Sequence, residues 1–308
     1  MSKPRRPKGR AINGILVLDK PLGFSSNAAL QKVKWLYQAM KAGHTGALDP
    51  LATGVLPLCL GEATKFSQIL LDSDKRYLTT VKLGQLTATG DAEGAIQEEK
   101  PVPELNEALI RQVLQDFTGE IQQIPPMYSA LKHQGRPLYE LARKGEVVDI
   151  QPRTITIYEL MLHGFSADSI TFEVSCSKGT YVRTLGQDIA AALGTVGHLS
   201  ALRRLKAGPY TAEMMITLDE LIALAEQGHD ALDAKLLPMF TALGHIPVVE
   251  LNEAQAATIR HGQAVTVAQQ MEKGQVQLRL RQNGQEILLG LGEYESGGLV
   301  SPKRLVVG

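Results

Sequence analysis

The chain has 308 residues, 44% hydrophobic and 21% charged, with 32 Lys plus Arg balanced by 32 Asp plus Glu. This is the composition of a globular protein long enough for one large domain and a smaller one. Zero net charge excludes no nucleic-acid partner, because such binding depends on where charge sits. No apolar run approaches the length of a membrane span, and the first residues lack the hydrophobic core of a signal peptide. Cys59 and Cys176 lie far apart in apolar surroundings, which predicts buried reduced thiols rather than a disulfide framework and a cytoplasmic protein.

Residues 1–10 read as a basic N-terminal tail, with Lys3, Arg5, Arg6, Lys8 and Arg10 and no acid. Further basic groups fall at Lys132, His133, Arg136, Arg143 and Lys144, and at Lys178, Arg183, Arg203, Arg204 and Lys206. Ile15–Leu18 predicts a buried strand, closed by the turn Lys20-Pro21-Leu22-Gly23. Ser25 or Ser26 caps a helix reaching Tyr37, with Leu30, Val33, Leu36 and Tyr37 on one face. Val55–Leu60 is a buried strand, and Glu62 opens a short helix carrying Phe66, Ile69 and Leu70. After the turn Asp72-Ser73-Asp74, the stretch Arg76–Leu83 has strand character.

Thr87–Gly94 is a polar loop, and Pro103–Phe117 an amphipathic helix with Leu105, Leu109, Val113, Leu114 and Phe117 as its core side. Residues 119–151 break the pattern with Pro125-Pro126 and a basic stretch around Gly135, and are expected to project as an insertion. Thr154–Leu162 and Ser169–Ser177 predict a hairpin, Thr180–Leu193 a helix, Leu199–Leu205 a strand and Leu218–Glu226 another helix. A linker around Phe240–Pro247 precedes strand candidates at Val248–Leu251, Ala264–Val267, Val276–Leu280, Ile287–Leu291 and Leu305–Val307, with one helix near Glu253–Arg260. So many short strands in residues 248–308 point to a small barrel, and the whole to an α+β fold.

One stretch stands apart: Ala42-Gly43-His44-Thr45-Gly46-Ala47-Leu48-Asp49-Pro50-Leu51-Ala52-Thr53-Gly54-Val55-Leu56-Pro57. It packs three glycines, two prolines and a single carboxylate, Asp49, into sixteen residues. Glycine permits tight turns and close approach, and proline fixes φ. Asp-Pro alone is an ordinary turn, but the full string holds one carboxylate still beside a large partner. No P-loop, dinucleotide fingerprint or metal-spaced His/Cys cluster accompanies it.

The string resembles the catalytic signature of the TruB family of tRNA pseudouridine synthases. Three more segments share the resemblance: Leu71-Asp72-Ser73-Asp74-Lys75-Arg76-Tyr77, residues 175–185 around Gly179-Thr180-Tyr181-Val182-Arg183, and His198-Leu199-Ser200-Ala201-Leu202-Arg203-Arg204-Leu205. The resemblance implies a pseudouridine synthase fold over residues 11–247, with a central mixed, largely antiparallel sheet flanked by helices. It implies a small PUA-like RNA-binding domain over residues 248–308. It implies isomerisation of uridine-55 in the tRNA T-loop on a flipped-out base, without cofactor or metal. Asp49 would be the nucleophile, Arg183 its ion-pair partner and Tyr77 the residue facing the base. His44, Tyr77, Tyr181 and Leu202 would bind substrate, and the 119–151 insertion, through Tyr128, Lys132, Arg136 and Arg143, would close over the RNA. The expected partner is the tRNA T-stem-loop, bound by a monomer with no obligate protein partner and no membrane. A non-catalytic tRNA-folding chaperone competes with this reading, but would not need Asp49 paired with Arg183. A glycosidase usually needs a second carboxylate across the bond, which this loop does not offer.

Overall fold

The computed structural model describes residues 9–146, 148–282 and 284–307. A ten-stranded mixed sheet forms the body. Its strands run in the order Ile216–Thr217, Gly14–Lys20, Ala52–Leu60, Gly197–Ala207, Lys75–Leu83, Ser169–Cys176, Arg153–Phe165 and Gly119–Gln123. Ala42–His44 and Tyr210–Thr211 attach beside it. Parallel pairing occurs only where Gly14–Lys20 meets Ile216–Thr217 and where Gly197–Ala207 meets Ala52–Leu60. The rest is antiparallel, as expected.

Strand residues alternate between two faces. Leu16 and Leu18 enter a large core with Val33, Leu56, Leu58, Val81, Phe172 and Leu185. Ile15 and Val17 enter a second core with Cys59, Phe66, Leu70 and Tyr210. The helices that cover the sheet start at side chains able to satisfy free amides. Ser25 accepts from Ala28 N at 3.1 Å before Ser26–Leu36. Asn106 accepts from Leu109 N at 2.9 Å before Glu107–Asp116. Thr217 and Glu220 form a capping box on Leu218–Gln227.

The C-terminal residues build a five-stranded sheet in the order Val248–Leu251, Gly274–Gln282, Gln285–Glu295, Leu299–Leu305 and Val265–Thr266. It curls over its own core of Val249, Ile259, Val276, Leu278, Tyr294 and Val300. The helix Glu253–Arg260 covers that core and is capped by Asn252 and Gln255. This is the small barrel-like unit expected from the short strands. Leu288 and Leu291 leave it to join the second core of the main body. Lys65 Nζ donates to Leu305 O at 2.8 Å across the same junction.

Several boundaries differ from the sequence reading. Gly119–Gln123 does not project: it pairs with Arg153–Phe165 as an edge strand, so the projecting part begins after Gln123. Its alternation is too short and polar to read as a strand. The helix expected from Pro103 starts at Glu107, and Leu109 faces solvent at 39% exposure while Ile110 is buried. The loop at Thr87–Gly94 is flanked by a small hairpin of Gln85–Thr87 and Ile96–Glu99. The last strand is Leu299–Leu305 rather than Leu305–Val307. The linker holds a 3-10 helix, Met239–Leu243, with Ala242 and Leu243 buried. Most of the basic tail lies outside the described residues, but Arg10 is tied to Asp233 by bonds of 2.5 and 3.2 Å. Cys59 and Cys176 are free and buried, and burial pushes their thiols up to about 12 and about 11.

Candidate active site

The glycine-rich loop leaves the strand Ala42–His44 and returns through Ala52–Leu60, which pairs with it. Between them the chain is held at almost every residue. The buried Thr45 donates to Pro57 O at 3.2 Å from both its amide and its hydroxyl. Ser26 Oγ accepts from Leu48 N at 2.7 Å and donates to Leu48 O at 3.1 Å. Gly23 N donates to Pro50 O at 2.9 Å. Lys20, wholly buried, donates through Nζ to Phe24 O at 2.5 Å and Pro21 O at 2.9 Å, with Pro50 O at 3.4 Å. Glycine is required at position 54, where φ is +98° and a Cβ would stand 2.2 Å from Arg204 O.

At the tip of this rigid loop Asp49 keeps 41% of its side chain exposed, and Arg183 Nε lies 3.0 Å from its Oδ2. Arg183 sits in the first turn of the helix Val182–Ala192 and is itself only 8% exposed. Its remaining donors reach Thr89 O and Tyr128 O, each at 2.7 Å. Asp91 Oδ2 lies 3.8 Å from Arg183 Nη1, and Asp91 is buried. Its Oδ1 accepts from Thr89 Oγ1 at 2.5 Å and Glu93 N at 3.2 Å. One guanidinium thus bridges an open carboxylate and a buried one. Desolvation pushes the Asp49 carboxyl above its usual range; Arg183 opposes this, Asp91 adds to it and Lys20 opposes it.

The other expected residues gather around the pair. Tyr77 stands on the Lys75–Leu83 strand, where Lys75, Tyr77 and Thr79 share the buried face. Burial pushes its phenol up, Arg204 opposes the shift, and the charge of Asp49 acts on it from the loop. Leu202 is paired with Ala52 on one side and Thr79 on the other, which puts it between the loop and the Tyr77 strand. Tyr181 caps the Arg183 helix, its backbone clamped by Gln123 through bonds of 2.8 and 3.1 Å. Its half-buried phenol is pushed up by desolvation and also feels Asp49. His44 sits at the start of the loop, and its Nδ1 is buried without a hydrogen-bond partner among the described residues. Burial and the charge of Arg204 push it down, towards the neutral imidazole.

Sequence reasoning missed Asp91, Lys20 and the framing role of Arg204. Asp91 was hidden in a polar loop and Lys20 in a turn. Arg204 stood in a basic run that reads as surface, yet it is 1% exposed. A separate cavity of about 710 Å³, lined by Leu70, Lys75, Arg76, Lys206 and His245 among others, holds neither Asp49 nor Arg183. Chemically, the site offers an oriented carboxylate with an open flank, two tyrosines and an apolar side chain. That suits attack on, or charge stabilisation at, a carbon attached to a planar ring.

Comparison with known proteins finds matches along nearly the whole chain. Residues 34–182 match the TruB family pseudouridylate synthase N-terminal domain. Residues 183–244 match the tRNA pseudouridylate synthase B C-terminal domain, and residues 247–306 the pseudouridine synthase II TruB C-terminal domain. The chain is 52% identical over 301 residues to a tRNA pseudouridine synthase B of Marinomonas sp., covering 98% of this chain and 97% of that one. It is 52% identical over 310 residues to the same-named protein of Vibrio cholerae, covering 98% of each chain. Among solved structures, a chain of a Cbf5-Nop10-Gar1 complex superposes with a TM-score of 0.71 at 27% identity, covering 96% of this chain and 84% of that one. A chain of an H/ACA RNP bound to a substrate RNA containing 2'-deoxyuridine shares the fold, with a TM-score of 0.73 at 24% identity over 99% of this chain and 92% of that one. Matched by the family along nearly its whole length and 52% identical to tRNA pseudouridine synthase B proteins, the chain belongs to the TruB family of pseudouridylate synthases.

Proposed function

We propose that this pseudouridine synthase converts uridine-55 in the T-loop of tRNA to pseudouridine, with Asp49 as the nucleophile. The observation that carries the reading is the 3.0 Å Asp49–Arg183 pair at the open tip of an otherwise immobilised loop. The target base must leave its stack to reach a carboxylate held among strands. The N1–C1′ bond breaks, the uracil turns, and C5 bonds to C1′. C5 then loses its proton, and N1 carries one in the product. Asp49 meets the electron-poor centre created when the bond breaks, and Arg183 keeps it ionised and aimed. Tyr77 and Tyr181 offer faces for the ring, and Leu202 closes its apolar side. The Tyr77 hydroxyl serves the proton transfer. His44, near neutral by burial, contacts the RNA beside the extruded base.

The projecting segment after Gln123, with Lys132, Arg136 and Arg143, closes over the T-stem-loop. Nothing in this chemistry calls for a redox cofactor, an energy donor or a protein partner, and we place the enzyme in the cytoplasm as a monomer. The test is direct. Purified wild type and Asp49→Ala are incubated with unmodified tRNA, and pseudouridine is mapped at single-nucleotide resolution. Conversion at position 55 by wild type alone is the expected result. Tight binding without conversion by either protein would leave a tRNA-folding chaperone as the function.

A further inference from the structure

Arg204 is 1% exposed, and its side chain is the bulkiest among the fully buried ones. A buried guanidinium normally has a carboxylate beside it, because an isolated charge in the interior is costly. Among the described residues Arg204 has none within ion-pair distance, and its hydrogen bonds go to backbone instead. Nε donates to Val55 O at 2.6 Å, and Nη2 donates to Gly46 O at 3.2 Å. Those two carbonyls lie on either side of Asp49, on the outgoing and returning arms of the glycine-rich loop. Gly46, at φ +117°, leaves Nη1 only 3.6 Å from where a side chain would begin. Across the sheet Arg204 is the direct partner of Tyr77, and its positive charge acts on the Tyr77 phenol.

One side chain therefore ties together both arms of the Asp49 loop directly across the sheet from Tyr77. We propose that Arg204 is a positioning residue for the reaction: it fixes the distance between the Asp49 carboxylate and the Tyr77 hydroxyl. The proposal rests on Asp49 and Tyr77 being the reacting groups. The fork is what allows this, since a guanidinium directs donors along several lines in one plane and an ammonium cannot hold the same two carbonyls in that geometry. The positive charge also favours the ionised phenol. The other charged or titratable groups acting on Tyr77 are Asp49 from the loop and Cys176 from the neighbouring strand, both of which disfavour ionisation. Arg204 also acts on Lys20, His44 and Lys75, in each case favouring the neutral form.

The experiment measures single-turnover pseudouridine formation from pH 6 to 10, tRNA affinity and thermal unfolding for wild type, Arg204→Lys, Arg204→Met and Asp49→Asn. Both Arg204 variants should bind tRNA within about threefold of wild type while the chemical step falls, by about 100-fold for Met. Arg204→Lys, which keeps the charge, should lose about tenfold and keep the wild-type pH profile. In Arg204→Met the rise of rate with pH should move to higher pH, because Tyr77 has lost the cation that favours its ionised form. A wild-type rate in both variants, or a uniform loss with no change of pH profile in Arg204→Met, would overturn the proposal and leave Arg204 a packing residue. Should the Met variant fail to fold, Arg204→Lys decides alone: a tenfold slower step at unchanged affinity and melting temperature supports the role, and an unchanged rate refutes it. Asp49→Asn guards the premise, since conversion by that variant would discard the reading of the site itself rather than the role of Arg204.

Discussion

Arg183 shows how much one residue can organise. Its three nitrogens meet Asp49, Thr89 O and Tyr128 O, with Asp91 behind, so charge and geometry are inseparable there. Replacing it with Lys should lower the turnover rate about 100-fold while tRNA affinity changes little. Replacing it with Met should go further and alter the pH profile. In the proposed mechanism Asp49 works ionised; without its cation the carboxyl rises above its already raised position, so activity on acidification should be lost at higher pH than in wild type. Rate–pH profiles of the two variants check both statements. Lys20 makes a separate prediction about stability. Burial lowers its ammonium from 10.5 to about 8, while in the unfolded chain it stays protonated to near its ordinary value. Below pH 8 the folded state bears the whole cost of burying that charge. Between there and about 10.5 the unfolded state binds more protons, so the Lys20 contribution becomes more favourable as pH rises, by roughly 3 kcal/mol in total. Denaturant unfolding of wild type and Lys20→Met at pH 7 and pH 10 should show the wild type gaining on the variant.

At the scale of elements, the site is a junction of strands that are remote in sequence. Leu202 and Arg204 reach it from the Gly197–Ala207 strand only because that strand is inserted, parallel, beside Ala52–Leu60 and antiparallel to Lys75–Leu83. The segment after Gln123 divides into two parts with different duties. Tyr128 O accepts from Arg183 and so belongs to the site. The tip carries Lys132–His133 paired with Arg136–Pro137 and the short helix Leu138–Ala142. Replacing residues 131–146 with a short Gly-Ser link should leave the melting temperature within a few degrees of wild type and weaken tRNA binding by at least tenfold, since several cations leave the interface. Binding titrations at two salt concentrations read this out: the deletion should also flatten the salt dependence.

In the whole molecule, the C-terminal sheet is fastened to the body by apolar packing as well as by polar contacts. Leu288 and Leu291 lie in one cluster with Phe66, Leu70 and Leu243. Gln277 Nε2 donates to Leu243 O at 2.8 Å and Ile246 O at 2.7 Å. Arg279 stacks 4.6 Å from the Phe240 ring. Within the linker, Ala242, Leu243 and Ile246 are buried at this junction. Leu291→Ala should cost about 2–4 kcal/mol, measured by denaturant unfolding. If it instead left unfolding unchanged, the two parts would be joined by their tether alone. No helix among the described residues is long and apolar enough to cross a membrane.

Much of this was legible in the sequence where the signal is local. Ser25 caps the first helix as its position predicts, and the helix Glu253–Arg260 lies where its pattern puts it. The Asp49 loop announces itself because a tight, glycine-dependent turn restricts which residues can occupy it. Gly119–Gln123 was not legible as a strand, since an edge strand with polar residues is defined by its partner rather than by its own alternation. By itself the sequence determined the loop, its carboxylate and the family-like motifs, because these depend on backbone geometry and residue type within a few positions. Only the tertiary structure decided that Arg183 bridges Asp49 and Asp91, that Lys20 supports the loop from beneath and that Arg204 is buried against Tyr77. The reason is that burial and pairing of a charge depend on which distant strands become neighbours, and a lysine or arginine in a sequence looks the same whether it ends in water or in the core.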